Sequence, residues 1–179
     1  MREQTKNTKK ITTTNRSSCT IILNERDDMF NYDVDAYVCP VNCLGIMGKG
    51  LALKFKKKYP DYFKFYQYQC RQKRVTIGKV FPYYNRLSLY PTYIFSFPTK
   101  FHWRESSKIE YIKSGLQSLK RDIIIYDIHT IAIPALGCGL GKLDFDDVSA
   151  LIERKLITIL NLTIYLFQPQ DGSWKKNNY

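Results

Sequence analysis

Apolar positions change their spacing several times along the chain, and each change marks an element. Short apolar runs occur at Cys19, Thr20, Ile21, Ile22 and Leu23, at Ala36, Tyr37, Val38 and Cys39, at Thr130, Ile131, Ala132 and Ile133, and over residues 162–167. Runs of this length predict buried strands. Between them the spacing turns helical. Leu51, Phe55 and Tyr59 recur every four residues, and Pro60 ends that helix and begins another with Phe63, Tyr66 and Cys70 on one face. Ile109, Ile112, Leu116, Leu119 and Ile123 form a longer apolar stripe. Val148, Ile152 and Leu156 form a last one, with Asp144 placed as its N-cap. Residues 75–97 are rich in β-branched and aromatic side chains, broken by Pro82, Asn85 and Pro91. Two strands fit there, near Lys79, Val80 and Phe81 and near Tyr93, Ile94 and Phe95. Strands alternate with helices, which predicts an α/β fold.

Two glycine loops follow predicted strands. The first runs from Pro40 through Val41, Asn42, Cys43, Leu44, Gly45, Ile46, Met47, Gly48 and Lys49 to Gly50, and opens the helix at Leu51. The second comprises Leu136, Gly137, Cys138, Gly139, Leu140, Gly141 and Lys142. Glycine lets backbone approach a ligand, and the free N–H groups of a helix start attract anions. Neither spacing is that of the dinucleotide or Walker motif. Two phosphate-cradling loops at strand ends suggest a diphosphate, hence a nucleotide such as ADP-ribose.

The 179 residues suit one domain. Residues 1–18 read as a flexible basic N-terminal tail, 19–168 as the folded domain and 169–179 as a polar C-terminal tail. No apolar run is long enough to span a membrane. The five cysteines show neither paired nor metal-ligand spacing, which suits reduced thiols in the cytoplasm, with Cys19 and Cys39 as small core residues. Lysine and arginine outnumber acids 28 to 16, a net charge of +12. Single clusters such as Lys54, Lys56, Lys57 and Lys58 suit a solvated helix face, but the sum favours a polyanionic partner. The 14 tyrosines and 10 phenylalanines offer stacking surfaces for unpaired bases, although most suit a core.

With these motifs in place the chain resembles a macrodomain, and more narrowly the DarG-like branch of DNA ADP-ribosyl glycohydrolases, antitoxins that remove ADP-ribose from DNA. The carriers are residues 41–52, then Phe97, Pro98, Thr99 and Lys100 with His102, Trp103 and Arg104, and finally residues 133–141. The resemblance implies a three-layer α/β/α fold with a mixed central sheet and no cofactor or metal, ADP-ribose being the bound product. It places Asp28 and Met29 at the adenine. Asp27 stands where the family usually has glycine, so Asp27 is the alternative adenine partner. It places Asn42 and Cys43 by the distal ribose, Gly48, Lys49, Gly50 and Leu51 in the first phosphate loop, and Pro134, Gly137, Cys138, Gly139, Leu140 and Gly141 in the second. Thr99 adjoins Lys100, the family's catalytic lysine. In the related terminal ADP-ribose protein glycohydrolase an aspartate follows the second Gly-x-Gly-Leu run. Here Gly141 stands there and Asp144 is the nearest acid, so that relative's full mechanism does not carry over.

The residues themselves leave the chemistry open. Lys100, if neutral, could attack the anomeric carbon; if charged, it could protonate the departing base. Arg104 is the candidate cation that would lower its pKa. Asn42 could hold ribose hydroxyls or orient the base, or simply cap its own turn. His102, Trp103 and Arg104 could contact DNA, Trp103 by stacking and Arg104 through a phosphate, unless Trp103 is core. The implied activity is hydrolysis of ADP-ribose from thymidine in single-stranded DNA, reversing a DarT-like toxin. Its alternatives are an ADP-ribose-1″-phosphate phosphatase, a protein ADP-ribosyl hydrolase, and a module that binds ADP-ribose without turnover.

Overall fold

The computed structural model describes residues 8–11, 18–24, 27–86 and 88–169. In chain order these form β1 (Thr8–Ile11), β2 (Thr20–Asn24), a 3-10 turn (Met29–Asn31), β3 (Ala36–Asn42), α1 (Gly50–Lys58), α2 (Pro60–Arg71), β4 (Phe81–Tyr84), β5 (Tyr93–Lys100), α3 (Ile109–Ile125), β6 (Thr130–Ile133), α4 (Phe145–Leu156) and β7 (Thr163–Phe167). The strands build one 7-stranded sheet in the order β1-β2-β7-β6-β3-β5-β4. β2, β7, β6, β3 and β5 are parallel to one another. Antiparallel β1 and β4 close the two edges. The sheet is mixed and lies between helices, as expected.

β3 shows why its sequence lacks polar alternation. Ala36 and Val38 enter the core beneath α3 and α4, with Ile112, Leu116, Leu119, Val148 and Ile152. Tyr37, Cys39 and Val41 enter the opposite core, with Phe55 of α1 and Tyr62 and Tyr66 of α2. A strand covered on both faces must be apolar throughout. Gly115 lets α3 settle closely on β5, because a Cβ there would collide with the Phe97 ring.

Two elements differ from expectation. β4 lies at Phe81–Tyr84 and includes Pro82, rather than sitting near Lys79. Proline is tolerated there because β4 is an edge strand with one neighbour. The segment expected as a flexible tail, residues 1–18, contains β1, which pairs antiparallel with β2 from Thr8 opposite Asn24 to Ile11 opposite Ile21. Apart from β1 and Ser18, that segment lies outside the described residues, as do residues 170–179 of the expected C-terminal tail. No helix among the described residues is long and apolar enough to cross a membrane.

Candidate active site

The parallel strands deliver their C-terminal ends to one edge of the sheet, where a cavity of about 800 Å3 opens. Asp27, Asp28 and Met29 enter its wall after β2, Asn42 and Ile46 around the end of β3, Thr99 and Lys100 from β5, Pro134 and Ala135 after β6, and Phe167 from β7. Gly48, Lys49, Gly50 and Leu51 of the first glycine loop line it, together with Gly137, Gly139, Leu140 and Gly141 of the second. β3 and β6, which lead into these loops, are direct neighbours, so both loops serve one cavity.

The first loop leaves a helix start open. Lys49 is the N-cap of α1, extended at φ −147 and ψ 164, with no side-chain hydrogen bond to the cap and no acid in the first turn. α4 is built the opposite way. Its N-cap Asp144 accepts from the N–H of Asp146 at 2.9 Å and of Asp147 at 3.3 Å, and both of those acids lie in the first turn. An uncapped helix start exposes N–H donors and the positive end of the dipole, which is how an anion is received.

The second loop folds on itself. Gly137 adopts φ +76, a left-handed conformation that glycine takes without strain. The N–H of Lys142 donates to the Gly139 carbonyl at 2.9 Å, and that of Leu143 to the Gly137 carbonyl at 3.0 Å. The N–H groups of Gly139, Leu140 and Gly141 meet no acceptor among the described residues, a concave set of donors suited to phosphate oxygens. Gly141 must lack a side chain, since a Cβ would strike the Gly137 carbonyl oxygen and Ser107 Oγ. Ser107 supports the loop from behind, its N–H donating to the Gly141 carbonyl at 2.9 Å.

Lys100 ends β5 with only 8% of its surface exposed. Its Nζ donates to the Leu140 carbonyl at 3.0 Å, tying the strand to the second loop. Burial lowers its pKa from the ordinary 10.5; Glu105 opposes that shift and Lys142 adds to it. The expectation that Arg104 supplies the neighbouring cation is therefore corrected. The Arg104 guanidinium lies 4.5 Å over the Trp103 ring, and Lys142 is the cation that acts on Lys100.

Asn42 pairs with Lys100 across a shift of register between β3 and β5. Its amide is engaged with its own loop. Oδ1 accepts from the N–H of Leu44 at 2.9 Å and of Ile46 at 3.3 Å, and from the Tyr66 hydroxyl at 3.3 Å. Nδ2 donates to the Ile46 carbonyl at 2.7 Å. The geometry is that of the turn-capping alternative, with one Nδ2 hydrogen left over.

At the other end, Asp28 Oδ1 accepts from the Phe30 N–H at 3.1 Å, capping the 3-10 turn. Its Oδ2 meets Lys54 Nζ at 3.4 Å in an exposed pair. Asp27 accepts from the Tyr32 hydroxyl at 2.8 Å. Both carboxylates line the cavity.

Three expected site residues lie off the cavity wall. Cys43 is buried, and burial pushes its thiol up to about 11. Cys138 Sγ points into the protein toward the Leu136 carbonyl at 3.5 Å, and burial pushes that thiol up to about 12. Small apolar-like side chains fit beneath these loops, so the cysteines serve packing. His102 stands behind Trp103, their rings 5.4 Å apart, and its Nδ1 accepts from the Arg104 N–H at 3.2 Å. Trp103 is exposed and lines the mouth, so it is not core. Sequence reading missed Ile46, Lys54 and Phe167 on the wall. Lys54 was findable, lying one helical turn beyond Gly50 on the loop-facing side. No group of three or more histidine, cysteine or acidic residues that could hold a metal occurs among the described residues.

A mixed sheet between helices, with glycine loops at adjacent strand ends meeting over one cavity, is the architecture of a macrodomain. The Macro domain family model matches residues 38–152, and the chain belongs to that family. Within it the chain is 40% identical over 146 residues to a DNA ADP-ribosyl glycohydrolase of Mycobacterium tuberculosis, covering 82% of this chain and 42% of that protein. It thus spans about two fifths of the length of that relative. The solved macrodomain of M. tuberculosis DarG superposes with a TM-score of 0.74 at 40% identity, covering 80% of this chain and 94% of that one. Thermosipho africanus DarTG in complex with ADP-ribose superposes with a TM-score of 0.80 at 32% identity, covering 92% and 44%.

Proposed function

We propose that this chain binds ADP-ribose across its two glycine loops and hydrolyses the N-glycosidic bond joining it to a nucleobase. The proposed substrate is thymidine in single-stranded DNA, so the reaction reverses the modification made by a DarT-like toxin. The observation that carries this reading is Lys100, a lysine withdrawn from water and held by the Leu140 carbonyl. A module that only binds has no use for such an amine. The names of the relatives, DNA ADP-ribosyl glycohydrolase and DarG, support the same reading.

The diphosphate would lie on the open N–H groups of α1 and of the second loop, and Asp28 would take the adenine amine. The pair between Asp28 and Lys54 is exposed and long, and pairs of that kind are weak enough to exchange. The distal ribose would reach Thr99 and Lys100. Trp103 and Arg104 would receive the base and a flanking phosphate, with His102 supporting Trp103. Attack by the neutral Lys100 amine forms a bond to the anomeric carbon as the bond to the base nitrogen breaks. The base leaves with that electron pair and takes up a proton. Water then hydrolyses the lysine–sugar adduct and restores the amine.

The test is a single-stranded oligonucleotide bearing one ADP-ribosylated thymidine, incubated with the wild type and with Lys100→Ala and read by mass. Wild type should remove the ADP-ribose; Lys100→Ala should leave it in place while retaining ADP-ribose binding in calorimetry. Loss from both would remove Lys100 from the chemistry. Loss from neither would favour a phosphatase, a protein hydrolase or a pure binder.

A further inference from the structure

The loop after β3 is held more rigidly than a connector needs. Asn42 caps it three times over, Gln67 Nε2 donates to the Gly45 carbonyl at 3.3 Å, and Gly45 takes φ +82. Yet the side chains this loop turns outward are apolar, Leu44 at 43% exposure and Ile46. The segment leaving β5 does the same with Phe101, 54% exposed, and Trp103. The two segments adjoin, because the Cys43 N–H donates to the Phe101 carbonyl at 3.0 Å. They form an inner and an outer pair. Ile46 and Trp103 line the cavity; Leu44 and Phe101, two residues earlier on each segment, do not. Exposed apolar side chains on a rigid scaffold beside a site are the mark of a contact surface.

We infer that Leu44 and Phe101 form a second base stop, outside the cavity, that stacks on the unpaired base next to the modified nucleotide. The inference rests on the DNA reading above and adds that the enzyme recognises a short single strand rather than one modified nucleoside. An aromatic face accepts any unpaired base, so the stop gives length dependence without sequence preference. The charge suits a polyanion. Arg104, over the Trp103 ring, lies three residues beyond Phe101 and the whole chain carries +12, while Glu105 on the same segment accepts from the His102 N–H at 3.2 Å. A flanking base locked in a duplex could not present its face to Phe101.

Two substrates decide the matter: ADP-ribosylated thymidine as a mononucleotide, and the same residue within a short single-stranded oligonucleotide. Each is turned over by wild type, Phe101→Ser and Leu44→Ser, with thermal melts confirming that the variants fold. Wild type should prefer the oligonucleotide. Phe101→Ser should lower kcat/KM for it by about tenfold, Leu44→Ser by less, with the mononucleotide rate nearly constant. Equal losses on both substrates, no loss on either, or equal wild-type turnover when the flanks are paired to a complementary strand would overturn the second stop. A wild type inactive on both substrates would instead overturn the glycohydrolase reading on which it rests.

Discussion

Lys100 and Asn42 lie opposite each other where β3 and β5 slip out of register, and they answer to different demands. Asn42 is occupied by its loop, whereas Lys100 is kept from water with one carbonyl partner. Desolvation disfavours the ammonium, so the neutral amine is reached at lower pH than for a surface lysine. If that amine is the nucleophile, kcat/KM on the modified oligonucleotide should rise with pH, following the deprotonated fraction, and level off below pH 10.5. A profile that falls over the same range would assign Lys100 to the acid role instead. Lys100 could be singled out from the resemblance, but its environment could not. Arg104 is close in sequence, yet a strand end separates it from Lys100. Lys142, which does act on it, is distant in sequence and arrives through the second loop.

Helices in this chain differ in how their first turns are completed. α4 has an acidic cap, acids in its first turn and Arg154 and Lys155 in its last. α1 begins on Lys49 with neither a side-chain cap nor an acid in its first turn, whereas α2 and α3, also without a side-chain cap, carry Asp61 and Glu110 there. Departures of this kind concentrate where a ligand completes the structure. Away from the site, α3 depends on Gly115 to approach β5. Gly115→Ala should lose roughly 1–3 kcal/mol in urea unfolding through overpacking against Phe97. Phe97→Leu in the same chain should recover part of it; a neutral Gly115→Ala would show that the ring can step aside. The helices were legible because their stripes keep one period. β4 was misplaced because Pro82 reads as a breaker unless the strand is known to be an edge. β1 carries no apolar run to betray it, and it pairs through backbone groups with β2.

At the scale of the whole molecule, the proposed function has the excess of basic residues and the glycine-loop cavity acting on different parts of a substrate. Binding of an unmodified single strand should weaken steeply with salt, as a negative slope of log K against log salt in fluorescence titrations between 50 and 200 mM, concentrations at which phosphate contacts are known to respond. Free ADP-ribose, which the proposed function places on backbone N–H groups in the cavity, should show a much shallower slope. Equal slopes would place both ligands on the same charges. The meeting of the two glycine loops at one edge of the sheet was legible, since both follow buried strands, whereas the order of the strands was not. The exposure of Leu44, Ile46 and Phe101 was not. Periodicity reports which residues a fold needs inside, and these apolar positions stand outside it because a loop turns them there.

The bare start of α1 has a practical bearing on how the protein is handled. An open first turn beside a glycine loop does not distinguish an organic diphosphate from any small oxyanion present in excess. Inorganic phosphate, sulfate or pyrophosphate from a buffer or a precipitation step would then sit in the cleft as a resident competitor. An affinity titrated in such a solution would describe an exchange of one anion for another rather than the filling of a free site.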